Sequence, residues 1–182
     1  MKSATSLDVV PEYCTKPVVV FGCGNILLGD DGFGPAVVKE LHASGAVPEC
    51  AEVIDAGTAV REFLFDIALS EQRPGLIVVI DAVDAGRIPG EVFEIPLDDI
   101  PAVKVPDYSL HQAPTSNLLR QLRDHCGVDV SVIVCQVEQI PDEVKMDLSP
   151  AVQEAVIRAT DLIENKFLKR NTPENKEEAK KG

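Results

Sequence analysis

Apolar positions in this chain alternate between two spacings. Residues 17–21, PVVVF, form an unbroken β-branched run, the pattern of a strand covered on both faces, and the run closes in the glycine-rich stretch GCGNILLGDDGFG at 22–34. In PAVVKELHAS, which follows, Val37, Val38 and Leu41 fall on one helical stripe. The unit then repeats. AEVIDAGTAV predicts a short strand ending at Asp55, a turn at Gly57, and Thr58 as the cap of a helix over AVREFLFDIALS. GLIVVIDAVDAG, at 75–86, is the most continuous apolar run and predicts a central strand ending at Asp81.

The second half continues the alternation with one variation. GEVFEIPLDDI mixes Val92, Phe93 and Ile95 with Glu91 and Glu94, and Pro96 and Pro101 confine it to an edge strand. TSNLLRQLRDHC predicts a helix capped at Thr115 or Ser116, with Leu118, Leu119 and Leu122 on its buried stripe. DVSVIVCQVEQI reads as a further strand, and SPAVQEAVIRATDLIENKFL as a helix with Ser149 at its cap and Pro150 in its first turn. Strands alternating with helices imply a three-layer α/β/α fold: a twisted, mostly parallel sheet with an edge strand and helices on both faces. The organisation expected is an N-terminal extension over 1–16, one α/β domain over 17–168 and a disordered charged tail over 169–182, where the sequence offers no large apolar side chain to bury.

Charge and cysteine usage narrow the function classes. Thirty acidic against seventeen basic side chains give a net charge of −13, which repels a phosphate backbone and argues against a nucleic-acid partner. No apolar run approaches the roughly 18 residues that span a bilayer, and the N-terminus lacks the apolar block of a signal sequence, so no membrane is involved and a cytoplasmic location is expected. The five cysteines, at 14, 23, 50, 126 and 135, follow no metal-binding or disulfide spacing and read as reduced, mostly buried thiols.

In an open α/β sheet, ligands gather beyond the carboxyl ends of the strands, where this reading places Asp31, Asp55 and Asp81. A dinucleotide turn needs a third glycine where Leu27 stands, and it would not set Asp30 and Asp31 beside a pyrophosphate. A cation suits the acid pair better. Asp30 is read as an acid stabilising a helix start. Asp31 and Asp81 end neighbouring strands, and two carboxylates there repel unless a cation or a proton lies between them. Of the three histidines, His42 lies within a helix and His125 at a helix end, both structural positions. His111 stands in a loop between prolines ahead of a helix, and as a loop histidine it is either a third ligand or merely solvated. There is no HExxH helix and no Ser-His-Asp arrangement, and Cys23 has no adjacent base and reads as structural.

GCGNILLGDDGFG, IDAGTAV, VVIDAVDAG and YSLHQ, in this order and at this approximate spacing, resemble the maturation endopeptidases of nickel-iron hydrogenases over about residues 17–165. The resemblance implies that Asp31, Asp81 and His111 are metal ligands and that Asp55 takes part in function without binding the metal; Ala56 stands where the family has glycine. It further implies a nickel-dependent endopeptidase that removes the C-terminal extension of the hydrogenase large-subunit precursor after nickel insertion. The Ni²⁺ would be presented by that substrate rather than permanently bound, and the enzyme would be a monomer. Tyr108-Ser109-Leu110-His111-Gln112, with the acidic segment, is similar to the methanogen branch that processes the F420-reducing hydrogenase. The other reading is a non-catalytic nucleotide- or flavin-binding module using GCGN as its phosphate turn.

Overall fold

The computed structural model describes residues 10–100 and 113–169. In chain order the elements are α1 (Glu12–Thr15), β1 (Val18–Cys23), α2 (Phe33–Ser44), β2 (Ala51–Gly57), α3 (Val60–Leu69), β3 (Leu76–Val83), β4 (Val92–Ile95), α4 (Ala113–Cys126), β5 (Asp129–Gln136) and α5 (Pro150–Ile163). The five strands form one sheet in the order β2-β1-β3-β5-β4. All pairings are parallel except that of β4, which runs antiparallel to β5 at the edge, the position its flanking prolines require. No helix among the described residues is long and apolar enough to cross a membrane.

The period of two along each strand divides the core between two faces. On one side, Val18, Val20, Val78, Ile80 and Ile133 lie beneath α2 and α5. On the other, Val19, Phe21, Ile77, Val79, Val132 and Val134 lie beneath α3 and α4. The predicted three-layer architecture is the observed one. Within the segment read as an extension, α1 buries Cys14 in the second core, and the Tyr13 ring packs edge-on against Phe63 with centroids 5.4 Å apart.

Element ends depart from the sequence reading where a partner strand decides them. β3 continues past Asp81 because Asp81, Ala82 and Val83 pair with Val134, Cys135 and Gln136 of β5, so Asp81 lies inside the strand. β2 likewise runs on to Gly57, beyond Asp55. The cap of α3 is Ala59 and not Thr58. Thr115 and Ser116 lie within α4, which begins at Ala113. Ser149 and Pro150 do open α5 as expected.

The junction of β1 with α2 rests on two glycines. A Cβ on Gly22 would fall 2.5 Å from the Gly34 carbonyl oxygen, and one on Gly34 would fall 2.2 Å from the Cys23 carbonyl oxygen and 2.7 Å from that of Ile80. The first turn of α2 therefore lies directly on the backbones of β1 and β3. This is the close helix–strand approach that the third glycine of a dinucleotide turn provides, supplied here by a glycine twelve positions after Gly22.

Candidate active site

β1 is flanked by β2 on one side and β3 on the other, all three parallel, so the connections that leave β1 and β3 at their carboxyl ends run to opposite sides of the sheet. Such a switch point opens a crevice. Three acidic residues border it: Asp31 in the turn that joins β1 to α2, Asp55 near the end of β2, and Asp81 in β3. Asp31 and Asp81 are buried, 1% and 2% exposed, whereas Asp55 is exposed.

Each carboxylate is oriented by nearby backbone. After β1 the chain passes Gly24, whose φ of 132° and whose approach to the Asp31 carbonyl, 1.8 Å from an ideal Cβ, admit no side chain. It then makes a short excursion and returns through the 3₁₀ turn Gly29–Gly32. The excursion is closed at its base by the Asn25 N–H, which donates to Asp31 Oδ2 at 2.9 Å. The Asn25 side chain accepts the Leu27 N–H at 3.0 Å and so folds the tip. Asp81 Oδ1 accepts the N–H of Ala82 at 2.8 Å. Asp55 Oδ1 accepts the Gly57 N–H at 3.1 Å, and the Gly57 carbonyl accepts the Gly24 N–H at 3.0 Å, which ties the β2 turn to the β1 loop.

The buried Cys23 thiol at the end of β1 lies within the field of these acids. Burial first, then the charges of Asp81, Asp55 and Asp31, push its thiol well above the ordinary cysteine range. One buried sulfur thus feels all three predicted carboxylates. The same fact removes Cys23 as a nucleophile, since the thiolate is the reactive form and everything around it opposes that form.

Asp30 does something the sequence did not disclose. It is buried, and it accepts the Glu138 N–H at 2.9 Å, the Ser149 N–H at 2.6 Å and the Ser149 hydroxyl at 3.0 Å. From the first turn of its own short helix it grips Ser149, the N-cap residue of α5, and holds the turn carrying Asp31 against the β5–α5 connection. No local spacing could have pointed to partners so remote.

His111 lies outside the described residues, as do Tyr108 and Gln112. α4, which starts two residues after His111, covers the face of the sheet that Asp81 shares with Val79 and Val83. The other histidines hold no place in the crevice: His42 Nε2 lies 3.0 Å from the Val53 carbonyl, and His125 is exposed in the last turn of α4. Among the described residues no group of three or more histidine, cysteine or acidic side chains is placed to hold a metal ion. Two buried carboxylates at one edge are the right donors for a divalent cation, provided a third ligand completes the set.

The fold and its crevice define a doubly wound α/β protein whose carboxyl-edge site is built of carboxylates where a nucleotide-binding relative would cradle phosphate. Residues 35–166 match the model of the hydrogenase maturation protease family. The chain is 37% identical over 150 residues to a Methanocaldococcus jannaschii protein assigned to the hydrogenase maturation proteases, covering 81% of this chain and 94% of that one. It is 35% identical over 150 residues to coenzyme F420 hydrogenase subunit delta of Methanothermobacter thermautotrophicus, covering 80% and 91%. The solved structure of the [NiFe] hydrogenase maturation protease HycI from Thermococcus kodakarensis superposes with a TM-score of 0.66 at 26% identity, covering 83% of this chain and 91% of that one. The chain belongs to the hydrogenase maturation protease family and is an endopeptidase of hydrogenase assembly. Membership decides against the nucleotide- or flavin-binding module.

Proposed function

We propose that this enzyme removes the C-terminal extension from the precursor of a nickel-iron hydrogenase large subunit once nickel has been inserted, and that Asp31, Asp81 and His111 engage that nickel. The observation that supports the reading is the placement of Asp31, Asp55 and Asp81 along the carboxyl edge of β1, β2 and β3, at the switch point of the sheet. Two carboxylates and an imidazole suit a borderline divalent ion such as Ni²⁺. The nickel belongs to the substrate, and when presented it supplies Lewis-acid polarisation of a carbonyl or a water.

The chain's own part is orientation. The Asn25 and Ala82 N–H groups fix the two carboxylates, and the Gly22–Gly34 contact fixes the strand ends that carry them. Asp55 acts beside the metal, held by its turn at Gly57. The relative that is a subunit of coenzyme F420 hydrogenase supports a precursor from the F420-reducing branch. The enzyme works as a monomer in the cytoplasm.

The test incubates the enzyme with nickel-loaded and nickel-free precursor and weighs the products. Cleavage of the loaded form alone, lost in Asp31→Asn, Asp81→Asn and His111→Ala, is the expected result. Normal cleavage by all three variants would overturn the assignment.

A further inference from the structure

Next to the crevice the surface carries apolar side chains that folding alone does not explain. The tip of the loop after β1 and the β5–α5 connection run side by side: Leu28 and Lys145 form a parallel bridge, Gly29 N–H donates to the Lys145 carbonyl, and Lys145 N–H donates to the Leu27 carbonyl at 2.9 Å. From these paired segments Ile26, Leu27, Val144 and Met146 stand out into solvent, from 43% exposed at Leu27 to 72% at Val144. Large apolar side chains gathered in this way mark interaction sites.

The ledge is tied to the site at both ends. Asp30 binds Glu138 at one end of the connection and Ser149 at the other, so both ends are fastened to the turn that holds Asp31. Whatever rests on Ile26 and Met146 is therefore held in register with the Asp31 carboxylate. The ledge is also acidic. Glu138, Asp142, Glu143 and Asp147 are exposed along the connection against a single Lys145, a net charge of −3 over those five residues.

We propose that this ledge is the docking surface for the protein substrate, and that it receives an apolar segment of the precursor flanked by lysine or arginine side chains. The inference rests on the function proposed above and adds to it where specificity between precursors is decided. Apolar contact supplies the affinity, and the carboxylates along the connection select the sign of the partner's charge.

The experiment is steady-state cleavage of nickel-loaded precursor by the wild type, the double variant Val144→Glu/Met146→Glu, the double variant Asp142→Lys/Glu143→Lys, and Leu69→Glu as a control on the exposed face of α3, with thermal melting of each. Both ledge variants replace exposed side chains and are expected to melt with the wild type. The apolar variant should raise KM about tenfold, equivalent to about 1.4 kcal/mol of lost binding, with kcat unchanged. The wild-type KM should rise with ionic strength, and the charge variant should show a raised KM at low salt and a flatter salt dependence. Leu69→Glu should change neither constant. An active wild type with KM unaltered in both ledge variants would overturn the docking surface and leave the proposed function standing. A wild type that fails to cleave loaded precursor would remove the function, and the ledge proposal with it.

Discussion

Asp30 accepts two hydrogen bonds from Ser149, 119 positions further along the chain: one from its backbone N–H at 2.6 Å and one from its hydroxyl at 3.0 Å. With the third bond, from Glu138, one carboxylate joins three parts of the molecule. Asp30→Ala strands two amides and a hydroxyl, at about 1–3 kcal/mol for each buried donor left without an acceptor, so the loss should reach roughly 3 kcal/mol in urea denaturation. Ser149→Ala removes one of the three bonds and should cost about 1 kcal/mol. Processing by Asp30→Ala should fall even where the variant remains folded, because the Asp31 turn has lost its anchor.

Asp31→Asn and Asp81→Asn keep size and shape while removing a charge. Both should melt near the wild type. If these residues are nickel ligands, titration of the isolated protein with Ni²⁺ or Cd²⁺ should weaken about tenfold or more in each, the scale of loss seen for changes even one shell further from a metal. Unchanged affinity in both variants would contradict the ligand assignment.

Gly34→Ala tests the joint between β1 and α2. The added methyl meets backbone atoms of Cys23 and Ile80, which cannot turn aside as a side chain can. A loss at or above the top of the roughly 1–3 kcal/mol range for overpacking is expected. Gly45→Ala is the comparison: a Cβ there meets nothing within 4 Å, and only its φ of 69° stands against the change. Chemical denaturation of the two separates contact from backbone strain.

Cys23 is buried among acids, and its thiol stays protonated well beyond neutral pH. Iodoacetamide at pH 8 should leave Cys23 unmodified in the native protein and label it after denaturation, as read by peptide mass mapping. Cys23→Ala should retain precursor cleavage. Loss of cleavage with the fold intact would return the thiol to the chemistry.

Glu94 makes a small part of the stability pH-dependent. Burial tends to raise its pKa, but hydrogen bonds from Lys166 and Ser131 outweigh this and hold it below the ordinary value. A carboxylate with a depressed folded pKa contributes stability above its unfolded pKa, near 4.3, and loses that contribution as pH falls through the folded value. Half exposed, the group is screened, and its share is small. The difference in urea midpoint between wild type and Glu94→Gln should be present at pH 6 and shrink as pH falls below the ordinary carboxylate range.

The alternation of elements was legible because β1 and β3 are buried on both faces and read as continuous apolar runs, while each helix carries its own stripe. Strand ends were less legible, since β3 ends where β5 stops offering hydrogen bonds and not at its first polar residue. The acids at the carboxyl edge could be listed because topology alone puts strand ends together. What Asp30 and Gly34 do could not be read locally. One depends on partners more than a hundred residues away, and the other replaces a motif glycine at a spacing no motif contains.

The closure of the loop base, Asn25 against Asp31, has a corollary for substitution. Because the carboxylate is fixed at the neck, residues at the tip can be exchanged while Asp31 stays in place. Substitutions at Ile26 or Leu27 thus change the surface beside the crevice while the neck contact persists.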